Sequence, residues 1–343
     1  MVKLKVKVFA EVWYNIPAKF GGRMNRRDFL RSAFAGGALI ATARLPSVGK
    51  DDPALFPGRG HLERLALNYS IVRAGATRPF SVLHISDTHL CEAYPDESEA
   101  KKELMDVRRR IFGGRQEEAL IDSLFWAKEN VDYVVHTGDL IDWQSRANFD
   151  RVKKYFGDAM FGSLGNHEFS GDLWLGEQKE TKDEAWKDRT RAQLAATYPF
   201  DISLHSQIVN GVNFVTMDDV YGTVTAGQVE RFRAEVEKGL PIVLCVHVPF
   251  FTDDIWLATS KFWVRPGKRF EDASVPPPVG DYLRQREDPV TRDFIAYLKT
   301  EPLLKAILAG HEHVMVQDRF SPTAEEFVVG ANFLFCGREV LFT

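Results

Sequence analysis

The sequence predicts an α/β domain in which apolar strands alternate with amphipathic helices and antiparallel strands close the chain. Its 343 residues, 45% of them hydrophobic, are enough to bury a large core in one large or two small domains. Apolar runs of strand length alternate with segments of helical period along most of the chain. Residues 65–343 contain no repeat, low-complexity tract or linker that would divide them, so we predict a single domain there.

The predicted strands are short apolar runs that end at polar or glycine-containing turns. The first strand is expected at a sheet edge, and the run over residues 208–216 is expected to form a hairpin. That hairpin turns at Asn210-Gly211, a dipeptide that favours a type I′ turn. In chain order, the strands cover residues 65–72, 82–85, 133–137, 159–164, 208–216, 242–246, 305–308, 314–319 and 327–342.

Helices are predicted where apolar residues recur every three or four positions, over residues 116–128, 228–238 and 291–299. The polar stretch over residues 171–192 carries no clear periodicity. Residues 91–114 are charged, a pattern typical of a solvated helical face, with the basic residues Lys101, Lys102, Arg108, Arg109 and Arg110.

Residues 24–43 resemble a bacterial twin-arginine export signal. Arg26 and Arg27 precede a short apolar segment, and residues 41–43 read Ala-Thr-Ala, a small-residue cleavage site. Because the apolar segment is too short to span a bilayer, we expect a removed signal and no stable membrane anchor. The twin-arginine export machinery would then be a partner, and the mature domain, residues 44–343, would be periplasmic or otherwise extracytoplasmic. A basic amphipathic N-terminal helix is the alternative interpretation.

Met24 is a natural initiator for such a signal, and residues 1–23 are then either an extension or an upstream misassigned start. The formal net charge of the whole chain is −4. Removal of residues 1–43 leaves 36 Lys and Arg against 46 Asp and Glu, a net charge of −10. A surface that acidic argues against wrapping a nucleic acid, because such binding depends on Lys and Arg that neutralise phosphates. A small phosphate ester drawn to a local metal charge is still compatible with it.

The three cysteines are too few and too scattered for a disulfide framework. Cys245 lies within an apolar run and is expected to be a small buried residue. Cys91 stands two residues after His89, so a soft metal ligand is one interpretation and a chance spacing is the other. The sequence therefore assigns no redox role.

Polar residues with metal-binding chemistry follow several of the apolar runs. In an extended chain, residues two apart point to the same side, so Asp87 and His89 project together after the opening strand. An oxygen ligand beside a nitrogen ligand at the carboxyl end of a buried strand suits a borderline divalent metal. Each cluster taken alone reads as a polar turn, whereas five in one order favour a site. They are Asp87-Thr88-His89, Gly138-Asp139, Gly165-Asn166-His167-Glu168, His247 and Gly310-His311-Glu312-His313.

This ordered set resembles the calcineurin-like metallophosphoesterase family, and the resemblance covers residues 80–313. It implies a sandwich of two mixed β-sheets flanked by helices, with two metal ions at the strand ends. Asp139 would bridge the two ions, and His167 would face the substrate. The resemblance implies that one metal is held by Asp87, His89, Asp139 and His313, and the other by Asp139, Asn166, His247 and His311.

The chemistry of this ligand set is consistent with hydrolysis of phosphate esters. Two divalent cations would clamp phosphate oxygens and lower the pKa of a bridging water, and the resulting hydroxide would attack phosphorus in line. His167 would stabilise the developing charge or donate a proton to the departing alkoxide. Imidazole, carboxylate and amide ligands without thiolate permit Mn, Fe, Zn or Co. The substrate would be a phosphomonoester or a small phosphodiester. The alternatives are a non-catalytic binding scaffold on the same fold or an extracytoplasmic nuclease.

Residues near the motifs exclude one branch of the family and leave two other histidines outside the predicted site. Purple acid phosphatases of this superfamily carry a tyrosine ligand three residues after the bridging aspartate, and that position here is Asp142. His84 and His136 lie within strands, where a hydrogen-bonded core histidine is the expected role.

Residues 250–285 are irregular, aromatic and basic. We predict that they form a substrate cap in which Trp263 stacks on an organic group and Arg265 pairs with a phosphate. A surface loop anchored by its own aromatic residues is the alternative.

Overall fold

Two mixed β-sheets stack face to face in the computed structural model, which describes residues 64–157, 160–171, 183–263 and 288–343. This arrangement confirms the predicted fold class. The strands of the described residues are β1 (Ala66–Val72), β2 (Phe80–Ile85), β3 (Tyr133–Thr137), β4 (Met160–Ser163), β5 (Leu204–Val209), β6 (Val212–Met217), β7 (Ile242–Cys245), β8 (Leu304–Ala309), β9 (Val316–Arg319), β10 (Glu325–Val328) and β11 (Cys336–Phe342). The predicted export signal, residues 24–43, and Met24 lie outside the described residues.

The five-stranded sheet has the order β1-β11-β2-β3-β4. Strands β2, β3 and β4 run parallel to one another, and β11 pairs antiparallel with β2. Strand β1 lies at the edge, as predicted, and pairs in parallel with β11. The carboxyl ends of β2, β3 and β4 therefore open onto the same edge of the sheet.

The six-stranded sheet has the order β5-β6-β7-β8-β10-β9. Its central strands β6, β7, β8 and β10 are parallel, and an antiparallel strand closes each side. The predicted hairpin is formed by β5 and β6, and both turn residues have positive φ, 46° at Asn210 and 80° at Gly211. Such φ values define the type I′ turn that this dipeptide favours.

The helices of the described residues pack against the outer faces of the sheets and across their edges. Five of them begin at a Ser, Thr or Asp whose side chain accepts a backbone N–H of the first turn, which satisfies a donor that has no partner within the helix. Among the helices described, none has the length and apolarity needed to cross a bilayer. They are α1 (Glu99–Phe112), α2 (Gln116–Asn130), α3 (Arg146–Tyr155), α4 (Glu184–Ala195), α5 (Ala226–Val236), α6 (Asp253–Trp263) and α7 (Pro289–Leu298).

The main core lies between the two sheets. Val82 and Val135 of the first sheet belong to one apolar cluster with Phe214, Val243 and Leu308 of the second, and all five are fully buried. A second cluster fills the space between the six-stranded sheet and helices α5 and α7. Burial on both faces explains why the central strands read as continuous apolar runs rather than as alternating ones.

The structure differs from the sequence prediction in several parts of the chain. Helices α3 and α4 were not predicted, because their sequences are polar on most sides and resemble loops. The section over residues 250–285 was expected to be irregular, yet α6 occupies its first part. The predicted strand over residues 327–342 is two strands in different sheets, β10 and β11, separated by a 3-10 helix at Asn332–Leu334. The chain crosses between the sheets there, and Phe335 has a φ of 62° at the turn.

Candidate metal centre

The site forms where the carboxyl ends of strands from both sheets meet. Asp87 and His89 follow β2, Asp139 follows β3 and Asn166 follows β4. From the other sheet, His247 follows β7, and both His311 and His313 follow β8. Parallel neighbouring strands bring their carboxyl ends to one edge, so residues far apart in sequence converge. The structure brings all seven predicted ligand residues together in this way.

Three residues form a first cluster around His313. Its Nε2 atom lies 3.2 Å from Oδ1 of Asp87 and 3.2 Å from Nε2 of His89. The Nε2 atom of His89 also lies 3.7 Å from Oδ2 of Asp139. These three residues and Asp139 make up the first predicted ligand set, and their side chains lie together here.

A second cluster forms around His247. Its Nε2 atom lies 3.3 Å from Oδ2 of Asp139, 3.3 Å from Oδ1 of Asn166 and 3.1 Å from Nδ1 of His311. The same Asp139 oxygen therefore lies near both clusters. A carboxylate in that position can serve two cations at once.

The donor atoms fit a divalent cation. The backbone carbonyl of Thr137 lies 2.7 Å from Nδ1 of His247 and accepts its N–H, which leaves Nε2 to face the cluster. His89 donates its Nδ1 hydrogen to Oδ1 of Asp142 at 2.8 Å, with the same effect on its Nε2. Two ligands about 2.1 Å from one metal lie roughly 3.0 to 3.4 Å apart. The separations of 3.1 to 3.3 Å around His313 and His247 fall within that range, and the 3.7 Å between His89 and Asp139 is slightly longer. The groups Asp87, His89 and His313, and Asp139, His247 and His311, could each hold an ion.

The electrostatics also favour positive charge at this edge. Burial opposes ionisation of Asp139, but His247 and His167 hold its pKa well below the usual range. Burial likewise disfavours a charged His247, and Asp139 and Asp87 overcome that effect and raise its pKa to about 10. Protons and metal ions compete for such nitrogen atoms, so a divalent cation can supply the charge that the carboxylates stabilise.

The backbone around the candidate ligands is strained. Five of the seven residues have positive φ: Asp87 (55°), His89 (52°), Asp139 (55°), His311 (67°) and His313 (56°). Each such conformation costs about 1 to 3 kcal/mol in a non-glycine residue and persists only where the surroundings impose it. Residues of this kind concentrate at functional sites, which is consistent with a metal centre at this edge.

Close approach of the loops requires glycine at two positions. A Cβ atom at Gly165 would lie 2.2 Å from Oδ1 of Asp139, and one at Gly310 would lie 2.6 Å from Oδ2 of Asp87. Neither loop can give way, because each carries candidate ligands. The glycines of these two motifs therefore have a steric role, because a side chain at either position would collide with a candidate ligand.

His167 lies at the rim of the site, with 17% of its side chain exposed. Its Nδ1 atom lies 2.9 Å from the backbone carbonyl of Asp142, which accepts its hydrogen, and 2.9 Å from Oδ1 of the same residue. Its Nε2 atom lies 4.0 Å from Oδ2 of Asp139. Burial acts against protonation, but the two carboxylates dominate and raise the pKa of His167 to about 9. The ring is thus positioned beside both clusters with Nε2 available for a substrate.

Glu168 belongs to the motif Gly165-Asn166-His167-Glu168, but the sequence predicts no role for it. It is fully buried, and its carboxylate accepts the backbone N–H groups of Asp139, Leu140, Ile141 and Gly165 at 2.7 to 3.2 Å. It thereby ties the loop after β3 to the loop after β4. A carboxylate two residues beyond a candidate ligand is the only sequence signal that pointed to it.

Arg108 and Asp142 form a buried ion pair beside the site that the sequence interpretation did not identify. The sequence pattern assigned Arg108 to a solvated helical face, and the structure shows this to be wrong, since only 8% of the residue is exposed. Its guanidinium donates to both carboxylate oxygens of Asp142, with Nη2 2.6 Å from Oδ1. Burial opposes the charge of Asp142, but Arg108 and His167 hold its pKa well below the usual range. No sequence signal identifies this pair, because the two residues are 34 positions apart.

His84 and His136 have the hydrogen-bonded core role expected of them, and Cys91 is also buried. Nε2 of His84 lies 2.9 Å from the hydroxyl of Thr137, and Nε2 of His136 lies 2.9 Å from the hydroxyl of Thr88. The buried Cys91 thiol donates to the backbone carbonyl of His89, and burial raises its pKa well above the usual value.

The predicted cap residues are not tested by the structure. Trp263 is the last residue of α6, and its side chain lies outside what the structure describes. Arg265 also lies outside the described residues. The cap therefore stays a prediction.

Comparisons with known proteins are consistent with this geometry. The family model described as calcineurin-like phosphoesterase matches residues 80–315. No curated protein matches the sequence. Among solved structures, a dimetal phosphatase from Danio rerio is 13% identical, with 74% of this chain and 88% of that chain covered and a TM-score of 0.42.

Two bacterial structures are similar to the same degree. A putative 5′-nucleotidase from Staphylococcus aureus is 13% identical over 74% of this chain and 49% of that chain, with a TM-score of 0.37. A phosphopantetheinyl hydrolase from Mycobacterium tuberculosis is 12% identical over 74% and 91%, with a TM-score of 0.36. The chain spans about half the length of the nucleotidase. Likeness of this degree carries no information about substrate.

Proposed function

The chain belongs to the calcineurin-like phosphoesterase family and is a phosphoric ester hydrolase, and we propose that it hydrolyses a phosphomonoester or a small phosphodiester at a centre of two metal ions. The observation that carries the proposal is the pair of side-chain clusters that share Oδ2 of Asp139, which lies 3.3 Å from His247 and 3.7 Å from His89. Each cluster offers oxygen and nitrogen donors at separations suited to one ion.

The proposed ligands are the seven residues expected from the sequence. Asp87, His89 and His313 would hold one ion, and Asn166, His247 and His311 would hold the other, with Asp139 shared. Two bound cations would supply Lewis-acid activation of the phosphoryl group and of an attacking water. The donor set permits Mn, Fe, Zn or Co and contains no thiolate.

The chain's own residues have separable tasks in this scheme. The backbone carbonyl of Asp142 accepts the Nδ1 hydrogen of His167, so that Nε2 points to the space beside Asp139. A protonated His167 would donate to the oxygen of the departing alcohol or stabilise charge on the phosphoryl oxygens. Glu168 keeps the two loops that carry Asp139 and Asn166 at a constant separation.

The rival interpretation is a binding scaffold that has lost catalysis. Such a scaffold would be expected to lack one or more of the metal ligands. Here every predicted ligand residue is present and lies close to its neighbours. An acidic mature chain also makes a nucleic acid a poor substrate. These points favour hydrolysis of small esters.

We further propose that the enzyme acts outside the cytoplasm. The support is the paired arginines, apolar segment and small-residue cleavage site over residues 24–43. Export of a folded chain would allow metal to be inserted before the protein leaves the cytoplasm. The proposed cap with Trp263 and Arg265 would then select among extracytoplasmic phosphate esters.

The deciding experiment is an assay of the purified protein with Mn²⁺ against para-nitrophenyl phosphate and its bis ester, together with metal analysis. Two ions per chain and turnover of either ester are expected, and the ratio of the two rates separates monoesterase from diesterase. A folded protein loaded with metal that hydrolyses no phosphate ester would contradict the proposal and favour the scaffold.

A further inference from the structure

We propose that Arg108 is a positioning residue for the metal centre, because it fixes the carboxylate of Asp142 that orients the candidate ligand His89. The inference rests on the proposed function, since it concerns a residue expected to hold a metal. It assigns a role to a helix that carries none of the family motifs.

Arg108 lies in the last turns of α1, faces inward and is almost fully buried. Its Nη2 atom lies 2.6 Å from Oδ1 of Asp142, and its Nε atom donates to Oδ2. A planar guanidinium that binds both oxygens of a carboxylate fixes the plane of that carboxylate as well as its charge.

The carboxylate plane matters because His89 donates its Nδ1 hydrogen to Oδ1 of Asp142 at 2.8 Å. Nδ1 of His167 lies 2.9 Å from the same oxygen, but it also lies 2.9 Å from the backbone carbonyl of Asp142, which accepts its hydrogen. If the carboxylate rotated, His167 would keep that carbonyl as a partner, whereas His89 would lose its acceptor. Arg108 occupies both carboxylate oxygens and so prevents that rotation.

A second contact from the same helix supports His89 from its face. Phe112 follows Arg108 by one helical turn, and its ring stacks on the imidazole at 4.6 Å with an interplanar angle of 17°. The Arg108 guanidinium lies 4.6 Å from the centroid of the same phenyl ring. Arg108 therefore braces His89 along two routes, by hydrogen bonds through Asp142 and by packing through Phe112.

Arg108 is expected to support the binding of only one of the two ions. His89 belongs to the cluster with Asp87 and His313, whereas the cluster around His247 has no contact with Asp142 among the described distances. Loss of Arg108 should therefore weaken binding at the His89 cluster and leave the other nearly unchanged. Partners that orient a metal-bound histidine typically contribute about 10- to 100-fold to metal affinity or activity.

The test is a Mn²⁺ titration of the metal-free full-length protein, followed by electron paramagnetic resonance, with the variants R108Q, R108K and R110Q. Arg110 is exposed on the same helix, so R110Q removes the same charge without touching Asp142. We expect R108Q to bind one Mn²⁺ with wild-type affinity and the second about 10- to 100-fold more weakly, with loss of the signal from coupled ions. R108K should be intermediate, because an ammonium group lacks the planar fork.

The outcomes of this titration separate a positioning role of Arg108 from a structural one. Wild-type affinity and stoichiometry for both ions in R108Q and R108K would overturn the inference. Equal weakening of both ions, or a lower melting temperature with unchanged affinities, would show a merely structural role and overturn it too. If R108Q does not fold, the Mn²⁺ affinities of the folded R108K variant provide the test. Because the readout is metal binding, an enzyme inactive on every ester would refute the proposed function while the role of Arg108 is still tested.

Discussion

Oδ2 of Asp139 lies 3.3 Å from Nε2 of His247, although the first residue follows a strand of the five-stranded sheet and the second a strand of the six-stranded sheet. The candidate metal centre is thus a junction between the two sheets. A bound ion would connect them directly, so metal binding should affect both catalysis and the stability of the sandwich.

The first prediction concerns Asp139. Asp139→Asn removes the charge shared by both clusters, so we expect loss of at least one ion and a fall in kcat/KM of at least about 100-fold. Steady-state kinetics and metal analysis measure both effects. Asp106→Asn, an exposed change on α1, is the matched control. Two tightly bound ions and near-normal turnover in Asp139→Asn would show that this carboxylate does not bridge them.

The second prediction separates His167 from the ligands. His167→Gln should retain both ions but lower kcat by about 10²- to 10⁴-fold, because proton donation is lost. The deficit should grow as the leaving alcohol becomes more basic, and a series of substituted phenyl phosphates measures this. A deficit that is the same for all leaving groups would argue against proton donation and for a role in charge stabilisation alone.

The third prediction concerns metal removal. Chelation should abolish activity and lower the melting temperature, since a ligand at 100 times its Kd adds about 2.7 kcal/mol to the free energy of unfolding. Restoration with Mn²⁺ should recover both properties, as followed by calorimetry and assay. Full activity after exhaustive dialysis against chelator, with no metal detected, would exclude a metal-dependent reaction.

The fourth prediction tests export. Replacement of Arg26 and Arg27 by Lys should retain the precursor in the cytoplasm, because the twin-arginine pair is the recognised feature. Cell fractionation with immunoblotting measures this, and amino-terminal sequencing of the exported form should begin near Arg44. Lys3→Gln with Lys5→Gln removes charge upstream of the signal and should have no effect. Unchanged export of the double-lysine variant would refute the assignment.

The fifth prediction tests the cap. Trp263→Ala and Arg265→Ala should change the ratio of kcat/KM between aromatic and simple alkyl phosphates by about tenfold, since stacking and phosphate pairing would be lost. Tyr69→Ala removes an exposed aromatic ring from the edge strand β1 and serves as the control. Identical rates of the cap variants and wild type on every ester would leave only the surface-loop interpretation.

The sequence by itself determined the fold class and identified seven candidate ligand residues, whose role as metal ligands stays a prediction. Each candidate ligand follows an apolar run, and both the run and the polar turn after it are local patterns that survive without knowledge of the fold. Within each sheet, parallel strands bring such turns to one edge. Asp139 and His247 follow strands of different sheets, and their meeting was predicted from the resemblance to the family. The hairpin turn at Asn210-Gly211 was predictable from its local pattern.

Only the tertiary structure decided which charged residues support the site and how the chain end is divided. Arg108 and exposed Arg110 are equivalent in a helical sequence pattern, and packing against Asp142 alone distinguishes them. Similarly, residues 327–342 read as one apolar strand, but each half finds its partner in a different sheet. These outcomes depend on contacts between residues distant in sequence, whose free energies no local pattern contains.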